Sequence, residues 1–208
     1  MYTLDATAAR QANERSKRIT ELGKYIGAFT RAEDVTSAKG SRGIDFTFET
    51  ETRHIANFTL WTRNKQGEPI YGEMHLHALM TCLKVRNIEP TPMVIRKWDY
   101  IAQGMIDIKA PVFIELMNKP IGILLETEEY QKYKNNVPNG TGIKVIPVCF
   151  FETKTELVAS EILDKKVTPV MLPKLLVTLR HRPLATPILS THIQDPANQE
   201  SFDSDIPF

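Results

Sequence analysis

Cysteine is scarce in this chain: Cys82 and Cys149 are the only two among 208 residues. That excludes a disulfide framework and a cysteine-built zinc site, and two reduced, mostly buried thiols are expected. No apolar run approaches the roughly 20 residues that span a bilayer. The opening stretch, MYTLDATAARQANERSKR, is polar and charged where a secretion signal would be apolar. The expectation is a cytoplasmic protein without a membrane segment. The phosphate-cradling pattern G-x-x-x-x-G-K-[ST] is missing, which leaves an ATP-driven recombinase or helicase without support. Asp107, Glu115, Glu126, Glu128 and Glu129 lack a spacing that gathers carboxylates for two-metal chemistry, and no Ser-His-Asp or Cys-His arrangement is identifiable. His75 and His77, near Glu73 and Cys82, invite a metal reading. Residues two apart on a helix point about 200° away from each other, however, so the two histidines cannot share one ion. An enzyme has no chemical carrier here, and neither a metal nor a cofactor is expected.

What remains is ordinary globular material, 42% hydrophobic and 25% charged, with an uneven distribution of charge. All 26 Lys and Arg lie at or before Arg182, whereas Asp195, Glu200, Asp203 and Asp205 follow it. With 21 of the 25 acids in the body, the body carries +5 and the tail −4. A basic, ligand-binding body with a separately acting acidic tail follows.

The first seventeen residues have no clear apolar face and suit an arm or a loose cap. Segments 18–31, 43–50 and 54–63 are rich in β-branched and aromatic residues. In the second, Ile44, Phe46 and Phe48 alternate with Asp45, Thr47 and Glu49. Three antiparallel strands are expected. Over 73–86, Leu76, Leu79, Met80 and Leu83 recur at spacings of three and four, the mark of one amphipathic helix. A proline-broken linker with Pro90 and Pro92 leads to strands at 105–116, 120–127 and 143–151, where Pro111 and Pro147 mark edges or bulges. Three strands, a helix and two or three more strands, without strand-helix alternation, describe a mainly β protein. The economical architecture is an OB-fold-like barrel with one inserted helix, a fold that commonly binds oligonucleotides. Short helices around 157–164 and 170–180 are expected to pack on the barrel, the second through Leu172, Leu175, Leu176 and Leu179. The domain then spans 1–183, and 184–208, rich in Pro, Thr, Ser, Gln and Asp, forms a disordered linker and tip.

The chain finishes Asp203-Ser204-Asp205-Ile206-Pro207-Phe208. Phe208 suits an apolar pocket, its carboxylate and the aspartates suit Lys or Arg, and Pro207 lowers the ordering cost. These residues resemble the acidic C-terminal tip of bacterial single-stranded DNA-binding proteins. The body from Arg18 to about Phe151 is more similar to phage-encoded single-stranded DNA-binding proteins. The resemblance implies that Asp203, Asp205, Ile206, Pro207 and Phe208 dock on replication, recombination or repair proteins in a bacterial host cytoplasm. Ser204 interrupts the acidic run that family tips often carry.

Binding of single strands without sequence preference needs cations along the backbone path and aromatic faces for bases. One face of 53–65 reads Arg53, Ile55, Asn57, Thr59, Trp61, Arg63, Lys65, against the apolar Ala56, Phe58 and Leu60. Trp61 is thus the first stacking candidate. Lys39 and Arg42 in the first turn, with Lys24 and Arg31 on the first strand, are candidates for tracking phosphates. Tyr71, Trp98 and Tyr100 are secondary aromatics. Two competing functions stand beside this one: a strand-annealing recombination protein, and an adaptor that reaches host replication proteins without touching DNA. The oligomeric state, a homo-oligomer included, stays open.

Overall fold

A computed structural model describes residue 4 and residues 17–99, 102–134 and 137–184. The chain is mainly β. Its strands are β1 (Lys17–Arg18), β2 (Gly23–Thr36), β3 (Arg42–Thr50), β4 (His54–Arg63), β5 (Thr91–Asp99), β6 (Gly104–Val112), β7 (Pro120–Lys134), β8 (Val137–Phe151) and β9 (His181–Arg182). The helices are α1 (Tyr71–Cys82), α2 (Ala159–Leu163) and α3 (Met171–Leu176). The expected tip, nearly all of the linker, most of the N-terminal arm and Tyr100 lie outside the described residues.

The three consecutive strands pair antiparallel as expected, β2 with β3 and β3 with β4. Alternation sets their register: Ile44, Phe46 and Phe48 are buried, and so are Ala56, Phe58 and Leu60 on the next strand. In β2 an extra residue, Thr30, interrupts the ladder between Phe29 and Arg31. This bulge corrects the parity, so that Phe29 and Ala32, three apart, both point inward and are fully buried. Phe29 then becomes the hub of the core, with the rings of Phe46, Phe48, Phe58 and Phe150 at centroid distances of 4.6, 5.7, 6.1 and 6.2 Å. Each such buried ring is worth about 1.5–3 kcal/mol of apolar transfer.

β2 also pairs with β7, and β7 with β8, which carries the sheet round towards β4. Among the described residues no ladder joins β4 to β8. Helix α1 covers the opening, packing on both strands. Leu79 is fully buried there, and the Cys82 thiol donates to the Phe150 carbonyl at 3.4 Å. The result is a partly open, OB-like barrel with a helix inserted between its third and fourth strands.

The helix starts at Tyr71 and ends before the expected 86 because the chain makes a Schellman turn. The Val85 N–H bonds to the Met80 carbonyl and the Lys84 N–H to that of Thr81, with Lys84 left-handed at φ 56°. Val85 is thereby returned to the core.

Two further features depart from expectation. Residues 91–99, read as part of a linker, form β5 in a hairpin with β6. The strand is the terminal one of the sheet path, with Pro92 opposite Pro111, and an edge tolerates the missing N–H groups. β7 and β8 run past 127 and start before 143, so the polar EEYQKYK segment forms a long hairpin instead of a loop. Pro147 does lie at a register shift, between the pairs Leu124–Cys149 and Leu125–Pro147.

The C-terminal helices pack as expected. Leu172, Leu175 and Leu179 join Leu124, Phe151 and Val158 in a second core, although Leu176 faces outward instead of sharing that side. Both cysteines are free, Cys82 buried and Cys149 half-buried. No helix among the described residues is long and apolar enough to cross a membrane.

Candidate nucleic-acid interface

Inward alternation on β3 and β4 leaves Asp45, Thr47 and Glu49 on the outer face of one strand and Asn57, Thr59, Trp61 and Arg63 on that of the other. In OB folds this is the surface, flanked by the loops after the first and fourth barrel strands, that takes oligonucleotides. Here those connections are the 37–41 turn and the β7–β8 hairpin. Trp61 stands opposite Gly43 in the ladder and is half-buried. A Cβ at position 43 would lie 2.9 Å from indole Cε3, so the glycine makes room for the ring to lie over β3. Behind it, Gly72 of α1 approaches the Trp61 carbonyl so closely that a side chain there would overlap it. Glycines thus approach Trp61 on two sides, Gly43 at the ring and Gly72 at the backbone carbonyl.

The structure brings four of the sequence candidates to the end of this face. Arg42 and Arg63 are paired in the ladder, and Lys65 lies against the 37–41 turn that carries Lys39, with Lys65 Cβ 3.3 Å from a Cβ built on Gly40. Arg42 contacts Asp34 at 3.5 Å, and Arg63 contacts Glu73 at 2.9 Å while donating to the Gly67 carbonyl. Lys39 and Lys65 are exposed, and no ion pair holds either one among the described residues. Trp61 therefore sits near a rim in which Lys39 and Lys65 are the cations without an ion pair among the described residues, whereas Arg42 and Arg63 are paired with Asp34 and Glu73.

Other candidates are placed elsewhere. Arg31 is on the same outer face, but its guanidinium is committed to Asp45 at 2.5 Å and lies 3.8 Å from Glu33. Lys97 of the β5–β6 hairpin reaches Glu33 at 2.9 Å, and the Thr59 hydroxyl donates to Asp45 at 3.0 Å. Two cations and two acids on β5, β2 and β3, joined by Thr59 of β4, thus neutralise the middle of the sheet, with Glu33 only 7% exposed. Lys24 pairs with Glu156 at 2.6 Å, with its ammonium 5.8 Å from the centre of the Phe151 ring. Arg53 occupies the turn at the opposite end of β3–β4, exposed and left-handed at φ 59°. Tyr71 is exposed at the start of α1, its ring 4.7 Å from that of His75, and it opens onto an apolar groove with Met74, Val148 and Leu175.

His75 is wedged between Tyr71 and Phe150, and burial pushes its pKa down. His77 is turned to Glu73 at 3.8 Å. Among the described residues no three His, Cys, Asp or Glu side chains converge as metal ligands would.

The sequence reading passed over the β7–β8 hairpin, whose end carries Lys132, Tyr133 and Lys134, all exposed. Alternation of cations with tyrosines in YQKYK was the available signal. It also left Trp98 as a secondary aromatic; the structure places it on the outer side of the β5–β6 hairpin, 47% exposed and opposite Met105. The chain matches no family model, and no curated protein matches it.

Proposed function

We propose that this chain binds single-stranded DNA across the outer face of β3 and β4, in the manner of phage-encoded single-stranded DNA-binding proteins acting in a bacterial cytoplasm. Its role is then to protect the strand during replication, recombination or repair. The observation that carries this reading is Trp61 lying over Gly43 on an OB-like barrel face, beside the rim of Lys39, Arg42, Arg63 and Lys65. The indole supplies a stacking surface that every base can use, and the rim supplies charge for phosphates. The segment Asp203–Phe208, with two acids followed by Ile-Pro-Phe, suits recruitment of replication, recombination or repair proteins by a basic, apolar-floored pocket.

The test is a fluorescence titration with oligo-dT. Trp61→Ala weakens binding by about 1–3 kcal/mol, the worth of one stacked base, while circular dichroism stays that of the wild type. Trp61→Phe retains most of the affinity. Unchanged binding by a folded Trp61→Ala protein would move the strand off this face. A wild-type chain that ignores oligo-dT but still captures replication proteins would be an adaptor.

A further inference from the structure

Helix α1 turns Leu79 into the core, yet its Tyr71 and Met74 stay 71% and 61% exposed. They border a groove of about 430 Å³ whose other walls are Val148 and Phe150 of β8 and Met171 and Leu175 of α3. Among the described residues no Asp or Glu lines it. A second hollow of about 500 Å³ shares Tyr71 and Met74 and adds Pro69 and Ile70. Its one acid, Glu73, is held by Arg63 at 2.9 Å. Two adjoining apolar hollows thus share the Tyr71–Met74 border, and none of their lining residues belongs to the β3–β4 face. An open apolar patch of this kind marks a docking surface.

The sequence holds a segment of matching chemistry in Asp203–Phe208. Ile206 and Phe208 are two residues apart, so an extended backbone sets both on one side, about 7 Å from each other. Pro207 favours that conformation, since it fixes its own φ and keeps the residue before it out of the helical region. Each hollow can then take one apolar side chain. Charge agrees with this. Lys174 and Leu175 stand three and four residues after Met171, which sets all three on one side of α3. Lys174 is exposed, and no ion pair holds it among the described residues. It is therefore free to meet Asp203 or Asp205. Length agrees as well. The Leu184 N–H bonds to Glu129 of β7, whereas Cys149 and Phe150 at the groove stand opposite Leu124 and Ile123 of the same strand. Five strand residues from Glu129 to Leu124 are roughly 17 Å. Residues 185–202, 18 in all, lie between Leu184 and the segment and can span up to roughly 60 Å. The segment reaches the groove of its own chain.

We propose that Asp203–Phe208 docks in this groove of its own chain, with the aspartates toward Lys174, Ile206 between α1, β8 and α3, and Phe208 in the hollow beside Pro69 and Ile70. A protein that captures the tip must then displace it from the groove, so recruitment is set by competition. That consequence rests on the recruitment proposed above, whereas the docking depends neither on it nor on DNA binding. With 185–202 as a linker, the tip is held at a millimolar effective concentration. A groove of only about 0.1 mM affinity is then about nine-tenths filled.

The probe is a fluorescein-labelled synthetic peptide of residues 199–208, followed by anisotropy. The full-length wild type is compared with a chain carrying Ile206→Ala and Phe208→Ala, whose tip no longer fills the groove, and with that chain carrying Met74→Glu or Lys174→Ala in addition. The tip-disabled chain is expected to bind the probe, and the wild type to bind it about tenfold more weakly because its own tip competes. Met74→Glu removes probe binding while circular dichroism stays unchanged, and Lys174→Ala weakens it at low salt only. No probe binding by the tip-disabled chain, equal binding by it and the wild type, or binding indifferent to Met74→Glu overturns the docking. Displacement of the probe by oligo-dT also overturns it, because the tip would then lie on the β3–β4 face. So does a wild-type mass that grows with concentration while the tip-disabled chain stays monomeric, which puts the tip in a second copy. Probe binding as expected, with partner capture indifferent to Ile206→Ala and Phe208→Ala, leaves the docking standing and overturns the recruitment reading alone.

Discussion

Glu161 is the most consequential single carboxylate of the fold, and its replacement tests how the C-terminal helices are fastened. It lies in the first turn of α2 and is fully buried. Oε1 accepts the N–H groups of Val170 and Met171 at 2.7 and 2.9 Å, and Oε2 accepts that of Val158 at 3.2 Å. One side chain thus satisfies the starts of both α2 and α3. Burial by itself raises the pKa of such a group, but the three backbone donors outweigh it and hold the carboxyl below the ordinary range. Glu161→Ala removes three charge-assisted bonds and leaves three N–H groups facing a cavity. At about 1–3 kcal/mol for each unsatisfied donor, with partial relief from water, the loss is about 4 kcal/mol. For a domain of this size that lowers Tm by about 8–16 °C. Leu172, anchored beside Leu124 and Phe151, is expected to lose its packing at the same time.

The pH dependence has a definite sign. A carboxylate with a depressed folded pKa stabilises fully above its unfolded value, about 4.3, and loses that contribution as pH falls through the folded value. Urea melts at pH 7 and near pH 3 therefore show a gap between wild type and Glu161→Ala that narrows in acid. A gap below about 1 kcal/mol at pH 7, or one of equal size at both pH values, would refute this account of the anchor.

Gly27 stands where a Cβ would lie 2.2 Å from the Glu49 carbonyl oxygen, so Gly27→Ala is expected to cost about 1–3 kcal/mol of stability in denaturant melts; wild-type stability would show that β2 and β3 approach less closely. Burial pushes the thiols of Cys82 and Cys149 up to about 12 and about 11. Both are then protonated at pH 8; buried Cys82 is expected to react with a thiol reagent only on unfolding and half-buried Cys149 only slowly, whereas rapid labelling of both in the native protein would contradict the packing. Replacing Ile206 and Phe208 together by alanine should abolish pull-down of bacterial replication or repair proteins and spare oligo-dT binding. Unchanged capture, or lost DNA binding, would mean that Asp203–Phe208 does not recruit.

The barrel strands were legible where one face is buried and the other wet, because Ile44, Phe46 and Phe48 can satisfy only a period of two. Strand ends were not. The RAEDVT end of β2 is polar, and it is a strand because Glu33 and Asp34 are paired across the sheet to Lys97 and Arg42, contacts remote in sequence. β5 was hidden by Pro90 and Pro92, residues that an edge accepts and a central strand refuses. The bulge at Thr30 likewise answers to the core it packs and not to any local turn signal. Among site residues, parity applies to Trp61, whereas Arg63 lies past a register shift and Lys65 in the turn beyond the strand. The neutralising partners of Arg31 and Lys24 were invisible, since Asp45 and Glu156 meet them only in the folded chain. The approach of Tyr130 and Lys132 to Gly142 needed the β7–β8 pairing, which no local pattern announces.

The central claim is that the barrel holds single-stranded DNA by phosphate contacts and stacking. The most direct measurement is the affinity of the wild-type chain for oligo-dT and for a duplex of equal length, each followed from low to physiological salt. The account predicts tighter binding of the single strand at every salt concentration, with log affinity falling linearly against log salt at about 0.7 for each phosphate engaged. Equal affinity for duplex and single strand at matched salt, or oligo-dT binding that does not respond to salt, would contradict it.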